Sequence, residues 1–178
     1  AAFSESDLAA TPLQQFERWF SDAVSDKLPE PNAMVVSSVD SSGQPSSRHV
    51  LLKDVDARGF VFYTNYESQK GRDLNSNPKV ALVFPWFGMF RQVVVQGLAE
   101  KVSRAESEKY FHSRPHGSQV GAWISQQSRI IESAGELQER VERFQSLYPE
   151  GCEVPMPDTW GGFLVRPTMI EFWACLLY

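Results

Sequence analysis

Residues 33–64 read AMVVSSVDSSGQPSSRHVLLKDVDARGFVFYT, and this stretch decides the fold. Its apolar and β-branched residues form short segments that are separated by turn residues rich in Ser, Asp and Gly. The pattern predicts β-strands at 33–39, 47–53 and 60–64. Because the turns between them are short, the three strands are predicted to form an antiparallel meander.

Outside this stretch, strand and helix patterns continue along the chain. Further strands are predicted at 80–86 and 91–102, and a final strand pair at 163–165 and 169–173. Helices, several of them preceded by a capping Ser or Thr, are predicted at 11–28, 68–75, 103–114, 117–125 and 133–148. The order of helix, strand meander, helices and strand pair predicts the α+β fold class. Five or more antiparallel strands in so short a chain tend to curl into a barrel. One domain is expected over residues 1–178, with residues 1–10 disordered.

Composition argues against several classes of protein. The net charge is −5 and no basic stripe is present, so no nucleic-acid partner is expected. No apolar run reaches the roughly 18 residues that a membrane helix needs. The chain contains no HExxH, CxxC, P-loop, GxGxxG or GxSxG pattern, so neither a metal site nor a hydrolase is predicted. The two cysteines, Cys152 and Cys175, are expected to be reduced thiols of a cytoplasmic protein, or of an organellar one if the N-terminus was processed.

Two groups of residues are suited to binding anions. Arg48, Thr64, Ser68 and Lys70 combine two cations with two hydroxyls next to a predicted helix start, whose N–H groups attract anions. The alternative is that Arg48 and Lys70 are solvated surface charges, as most Arg and Lys are.

A second group lies near the end of the predicted helix 103–114. Tyr110, Arg114 and Ser118 offer a phenol, a guanidinium and a hydroxyl to a further anionic group. The alternative is that Arg114 only interacts with the negative end of the helix dipole.

Six segments together resemble the pyridoxamine 5′-phosphate oxidase family. In chain order they are FERWFSDAV, EPNAMVVSSVDSSGQPSSRHVLLK, GFVFYTNYESQKGRDLNSNPKVALVFPW, RQVVVQG, KYFHSRPHGSQVGAWISQQS and WGGFLVRPTMIEFW. They extend from about residue 13 to residue 173. Flavoenzymes of phenazine biosynthesis share much of this pattern, but the HSRPHGSQVGAW stretch is more similar to the pyridoxamine 5′-phosphate oxidases, which are enzymes of vitamin B6 metabolism.

The resemblance implies an FMN-binding split β-barrel with a Greek-key-like antiparallel sheet and a homodimer with FMN at the subunit interface. It implies that FMN contacts Arg48, Val50, Leu51, Lys53, Tyr63, Thr64, Gln69, Lys70, Gln92, Gln127, Ser128 and Trp173. It places the substrate phosphate near Lys53, Tyr110, Arg114 and Ser118. At Gln69 the family usually carries Arg, so one possible phosphate cation is missing here.

The implied reaction oxidises pyridoxamine or pyridoxine 5′-phosphate to pyridoxal 5′-phosphate, with O₂ as the final acceptor and H₂O₂ as the second product. After Trp173 the family continues to an Arg-Leu-His motif, whereas this chain reads ACLLY at 174–178. No catalytic residue is therefore assigned, and this tail is expected to mark a truncated or alternatively spliced product rather than a docking strand. The alternatives are a truncated, non-catalytic protein that binds FMN or a B6 phosphate, and a flavin oxidase of the phenazine type.

Overall fold

A curled antiparallel sheet of seven strands forms the centre of the protein in a computed structural model, which describes residues 4–174. The strands are β1 Ala33–Val39, β2 Pro45–Leu51, β3 Asp54–Asp56, β4 Gly59–Asn65, β5 Lys79–Trp86, β6 Arg91–Lys101 and β7 Trp160–Ala174. Their order in the sheet is β2-β1-β5-β6-β7-β4-β3. The helices are α1 Pro12–Ser25, α2 Gln69–Ser76, α3 Arg104–Ser113, α4 His116–Ile124 and α5 Ala134–Leu147. The predicted α+β class is confirmed.

The predicted meander of the first three strands is wrong. β1 and β2 form a hairpin, but β4 pairs with β7, and among the described strands the short strand β3 pairs only with β4. Between Leu52 and Lys53 the backbone changes its hydrogen-bonding partner. The Leu52 N–H donates to the Asn32 carbonyl beside β1, whereas the Lys53 N–H donates to the Val61 carbonyl of β4. Strand β2 also contacts β4, so the sheet is curled and its two ends approach each other.

The predicted final strand pair is instead one continuous strand of 15 residues, β7. Pro167 lies opposite Gly97, and Met169 lies opposite Gln96, so Thr168 is an extra residue in a β-bulge. A proline has no N–H to donate to the ladder, and a bulge is one of the places where a sheet tolerates it. The Arg166-Pro167 dipeptide therefore bends the strand without ending it.

Helix α1 packs its buried residues against the sheet. The Thr11 hydroxyl accepts a hydrogen bond from the Gln14 N–H, which caps the helix as its sequence predicts. Phe16 contacts Phe60 and Phe84 edge-on, with ring centroids 4.9 Å and 4.8 Å away. These buried rings form the centre of the main core. They fix the sheet that carries one wall of the site described below.

A second, smaller core joins the helices to the start of β7. It contains Phe111, Val120, Val154, Met156 and Trp160. This core holds α3 and α4 against the end of the sheet. The α4–α5 contact includes the side chains of Trp123 and Phe144, whose rings lie 5.8 Å apart.

Of the N-terminal segment 1–10, which the sequence predicts to be disordered, the structure describes residues 4–10. Glu5–Asp7 forms one turn of 3-10 helix, and the Asp7 carboxylate accepts from the N–H of Ser4. Arg18 of α1 donates to the Asp7 carbonyl, which ties this turn to the first helix. Of the tail at 174–178, the structure describes residue 174, and residues 175–178 lie outside the described part of the chain.

Gly59 is a position where a side chain is expected to be costly. Its φ is +141°, and an added Cβ would collide with the Val165 carbonyl oxygen on β7. We expect Gly59→Ala to lower the free energy of unfolding by about 2 kcal/mol, from backbone strain and steric overlap together. Urea denaturation measures this loss. Gly43→Ala is the matched control, because Gly43 also has positive φ, +89°, but no neighbouring atom within 4 Å. Equal losses in the two variants would contradict a role for the collision.

Candidate functional site

A cleft of about 570 Å³ lies between the sheet strands β2 and β4 and the helices α3 and α4. Ten of the fifteen residues that the sequence predicts for the site line it together. They are Val50, Leu51, Lys53, Tyr63, Thr64, Lys70, Tyr110, Arg114, Ser118 and Gln127. Two members of the first predicted anion-binding group and all three of the second therefore line one cavity.

One end of the cleft is built around Lys70, in the first turn of α2. Ser68 caps this helix by accepting from the Gly71 N–H, as expected for a serine in this position. The Lys70 side chain is buried, and its Nζ donates to Thr64 Oγ1 at 3.1 Å and to Gln127 Oε1 at 2.9 Å. Ser68 Oγ lies 3.5 Å from the same nitrogen. All these partners are neutral, so the ammonium is held in place without being neutralised.

The environment of Lys70 makes its charge costly. Burial, together with the nearby positive charge of Arg48, lowers the Lys70 pKa to about 8. An anion at this end of the cleft would relieve both effects, because it would stabilise the protonated amine. The interpretation of Lys70 as a solvated surface charge is wrong, since the side chain is buried.

Arg48 lies behind the cleft and does not line it. Its Nη1 donates to Ser38 Oγ at 2.7 Å and to the Ser46 carbonyl at 3.0 Å, and its Nη2 donates to Ser46 Oγ at 2.6 Å. Burial lowers the Arg48 pKa, and the charge of Asp73 opposes that shift. Arg48 is thus anchored to the β1–β2 hairpin, close enough to Lys70 for their charges to repel.

Aromatic rings form the other end of the cleft. Tyr63 and Tyr110 stack with their centroids 4.0 Å apart, and Trp160 lies 5.5 Å from Tyr63 in a nearly parallel plane. The Arg114 guanidinium lies 4.8 Å from the centre of the Trp160 ring. Its Nη1 is buried and has no hydrogen-bond partner among the described residues. A cation stacked on an aromatic ring is oriented by it while its N–H donors stay available to a ligand.

The groups around Arg114 are also suited to anion binding. Lys53 Nζ is 6.0 Å from the centre of the Tyr110 ring, and Ser118 is in the first turn of α4. Burial, with a smaller contribution from the charge of Glu106, raises the pKa of Tyr63 to about 12. Tyr63 therefore stays a neutral phenol at physiological pH and can donate a hydrogen bond.

The loop between α4 and α5 closes over the Lys70 end. Asn65 Nδ2 donates to the Ser125 carbonyl at 3.4 Å, and Arg129 forms a 2.6 Å ion pair with Glu67. These contacts place Gln127 over Lys70. Ser128, the next residue, has a φ of 65°, is exposed and does not line the cleft.

Three further predicted site residues lie outside the cleft, and a tryptophan that lines the cleft was not predicted. Gln69 is exposed on α2, and Gln92 pairs with Trp173 across β6 and β7, away from the cleft lining. Trp160 lines the cleft but was not predicted as a site residue. Its only sequence signal is a tryptophan directly before Gly161-Gly162, which by itself indicates a strand start.

Other kinds of site are absent from the part of the chain that the structure describes. Within residues 4–174, no three His, Cys, Asp or Glu side chains are grouped so that they could hold a metal ion. No helix within the same residues is long and apolar enough to span a membrane. Cys152 is exposed and unpaired, and Cys175 lies outside the described residues.

The fold is shared by solved structures. PhzG from Burkholderia lata, solved in complex with tetrahydrophenazine-1-carboxylic acid, superposes with a TM-score of 0.91 at 26% identity, over 98% of this chain and 86% of its own. A pyridoxamine 5′-phosphate oxidase-related, FMN-binding protein from Nostoc punctiforme superposes with a TM-score of 0.71 at 11% identity. That second match covers 93% of this chain and 86% of the Nostoc chain, and it shows the fold alone.

Sequence relatives are closer. The pyridoxine/pyridoxamine 5′-phosphate oxidase of Streptomyces avermitilis is 54% identical over 173 residues, covering 95% of this chain and 77% of the relative. The protein of the same name from Cupriavidus taiwanensis is 54% identical over 172 residues, covering 97% and 80%. The family model described as pyridoxamine 5′-phosphate oxidase matches residues 20–148. The cleft has a cation at each end, the fold matches that of PhzG, and the family model and both relatives cover most of the chain. The chain therefore belongs to the pyridoxamine 5′-phosphate oxidase family.

Proposed function

We propose that this protein binds FMN and oxidises pyridoxamine or pyridoxine 5′-phosphate to pyridoxal 5′-phosphate, with O₂ as acceptor and H₂O₂ as product. The observation that carries the proposal is one cleft with an un-neutralised cation at each end, Lys70 and Arg114. No carboxylate pairs with either cation among the described residues. FMN and the substrate each bring one phosphate, so two separate cationic ends match two phosphates.

The FMN phosphate is assigned to the Lys70 end. Lys70 and Thr64 would donate to the phosphate directly, while Arg48 would add charge from behind. Val50 and Leu51 would border the flat ring, and Lys53 lines the same cleft. The support for the assignments other than that of Arg48 is a shared position on the cleft wall, and Arg48 is assigned from its positive charge near Lys70. Gln69, Gln127 and Ser128 complete the proposed FMN contacts at the helix start and the closing loop.

The substrate phosphate is assigned to the Arg114 end, with Lys53, Tyr110 and Ser118 as further donors. When bound, FMN supplies the acceptor for the two electrons removed from the substrate and the route by which they reach O₂. The protein would bind and orient the substrate. The aromatic wall of Tyr63, Tyr110 and Trp160 offers a flat surface for its pyridine ring. Arg114 would bind the substrate phosphate and so orient the substrate in the cleft.

We also propose that the active form is a homodimer with FMN at the interface. Gln92 and Trp173 are the residues that motivate this step, because they neighbour each other on β6 and β7 but do not line the cleft of their own chain. Trp173 is about half exposed. A second copy would bring this pair to the FMN site. Sedimentation equilibrium with and without FMN tests the dimer, and a monomer at every concentration would contradict it.

The relatives favour the B6 phosphates as substrates. The Streptomyces and Cupriavidus proteins, both 54% identical to this chain, are named for that oxidation, whereas PhzG is 26% identical. A phenazine-type oxidase is the second candidate, supported by the TM-score of 0.91 to PhzG. Turnover of a reduced phenazine carboxylate, without turnover of pyridoxamine or pyridoxine 5′-phosphate, would support the phenazine-type oxidase.

The decisive experiment is spectroscopic. The purified protein is incubated with FMN, desalted, and mixed anaerobically with pyridoxamine 5′-phosphate. We expect retained flavin absorbance that bleaches on substrate addition and returns, with H₂O₂, when O₂ is admitted. Unphosphorylated pyridoxamine is the control substrate. Retained flavin without bleaching would indicate a non-catalytic FMN protein, and loss of flavin on desalting at high protein concentration would contradict FMN binding.

The pKa of Lys70 predicts how FMN binding depends on pH. The free protein loses the Lys70 proton around pH 8, whereas a bound phosphate raises the pKa of that amine. Binding is then coupled to proton uptake above pH 8, so affinity falls as pH rises. We expect the Kd for FMN to increase about tenfold between pH 7 and pH 9. Flavin fluorescence titrations measure it, and Lys70→Met should remove the dependence. A flat profile in the unmodified protein would contradict this role of Lys70.

A further inference from the structure

Asp73 is a buried carboxylate that is not among the residues of the cleft. It lies on α2, one helical turn after Lys70, and only 5% of its surface is exposed. Its Oδ2 accepts from Ser38 Oγ at 2.6 Å and from Ser46 Oγ at 3.2 Å. The same oxygen is 3.8 Å from Arg48 Nη2. A buried carboxylate is costly unless it is hydrogen-bonded and paired, and here both conditions are met by the β1–β2 hairpin.

The two serines connect Asp73 to Arg48 in a defined direction. Each hydroxyl has one proton to give, and each gives it to Asp73. Their lone pairs are then turned toward the guanidinium, which donates to Ser38 Oγ at 2.7 Å and to Ser46 Oγ at 2.6 Å. Removing the carboxylate would free both hydroxyl protons to point elsewhere. Arg48 would then lose the fixed acceptors that hold its side chain.

This network also joins the two cations of the Lys70 end. Lys70 and Asp73 belong to α2, whereas Arg48, Ser38 and Ser46 belong to the hairpin. The positive charges of Arg48 and Lys70 repel each other, and the only carboxylate that pairs with Arg48 among the described residues is Asp73. Asp73 therefore ties the hairpin that carries Arg48 to the helix that carries Lys70.

We propose that Asp73 is a positioning residue for phosphate binding: it holds Arg48 against α2 so that Arg48 and Lys70 act on the same phosphate. The proposal rests on the proposed function, in which that phosphate belongs to FMN. Simple electrostatics predicts the opposite effect, because deleting a negative charge near an anion site should strengthen anion binding. The sign of the change therefore separates a positioning role from a mere background charge.

The test compares FMN with riboflavin, which has the same ring but no phosphate. Kd values for both are measured by fluorescence titration with unmodified protein, Asp73→Asn and Asp73→Glu. We expect Asp73→Asn to weaken FMN binding about tenfold, as for the loss of a charge-assisted hydrogen-bond network, and to leave riboflavin binding unchanged. Asp73→Glu, which keeps the charge, should recover part of the loss. Asp158→Asn is the control, because the Asp158 side chain is 95% exposed on the surface.

Each outcome decides the proposal. Tighter FMN binding in Asp73→Asn, or an equal loss for FMN and riboflavin, would overturn it. Unmodified protein that binds FMN no more tightly than riboflavin would overturn the proposed function and this inference with it. If Asp73→Asn does not fold, Ser46→Ala removes one arm of the network and should show the same phosphate-selective loss in smaller measure. In an Arg48→Met background, either change should have no further effect on FMN binding, because the residue acts through Arg48.

Discussion

Replacement of Lys70 by methionine is expected to weaken FMN binding by at least about 100-fold, since a buried ammonium that donates to a phosphate makes charge-assisted hydrogen bonds. Methionine keeps the unbranched apolar stem of lysine, so the packing of the buried side chain is largely retained. The hydroxyl of Thr64 and the Gln127 amide remain, but neither carries a charge. The loss should therefore reflect the ammonium rather than a collapsed site.

The measurement is a fluorescence titration with FMN and with riboflavin at pH 7. Lys79→Met is the matched control, because Lys79 is an exposed lysine on β5. Riboflavin binding should change little in Lys70→Met, because riboflavin has no phosphate for the ammonium to contact. If Lys70→Met bound FMN as tightly as Lys79→Met does, the phosphate would have to be assigned to another part of the cleft.

Replacement of Arg114 by methionine is expected to raise the KM for pyridoxamine 5′-phosphate about 100-fold, with a much smaller change in kcat. The phosphate is remote from the reacting carbon, so its contacts are the same in the ground state and the transition state, and losing them affects KM. A bidentate guanidinium–phosphate contact in a partly buried site accounts for a change of this size. Methionine leaves no unpaired charge behind, because no carboxylate faces Arg114 among the described residues.

Steady-state kinetics with FMN-saturated protein gives the two constants separately. Arg143→Met serves as control, since Arg143 is an exposed arginine that also lies beside an aromatic ring, Phe144. FMN affinity should be the same in both variants. A large fall in kcat at unchanged KM would mean that Arg114 contacts the reacting end of the substrate instead of its phosphate.

Local patterns predicted most elements of this fold but not all of their neighbours. The predictions of strand β1 and of the Thr11 cap of α1 were correct, because hydrophobic alternation and helix capping depend on residues close in sequence. The meander failed because the partner of β4 is β7, about a hundred residues later. The final strand pair failed because a bulge opposite Gly97 accommodates Pro167, and nothing near Pro167 in sequence indicates that partner.

The site shows the same division between local and distant information. Lys70 and Arg114 could be proposed from helix ends and residue chemistry, but their burial and their shared cleft depend on the tertiary fold. Trp160 was missed because its role depends on Arg114 lying over its ring, 46 positions earlier in the chain. The roles of all the predicted site residues stay predictions, and those of Gln92, Gln69, Ser128 and Trp173 follow from the family resemblance alone.

The hydrogen bond from Lys70 to Gln127 has a kinetic consequence. The Gln127 oxygen occupies a position 2.9 Å from the ammonium, on a loop that is itself fastened by the Asn65 and Arg129 contacts. An FMN phosphate that binds at Lys70, as proposed, would have to compete with that oxygen, so we expect association in two steps: encounter at the cleft mouth, then displacement of the amide. At rising FMN concentration the observed association rate should level off at the rate of loop release. Gln127→Ala should restore a linear dependence and speed both arrival and departure of the cofactor.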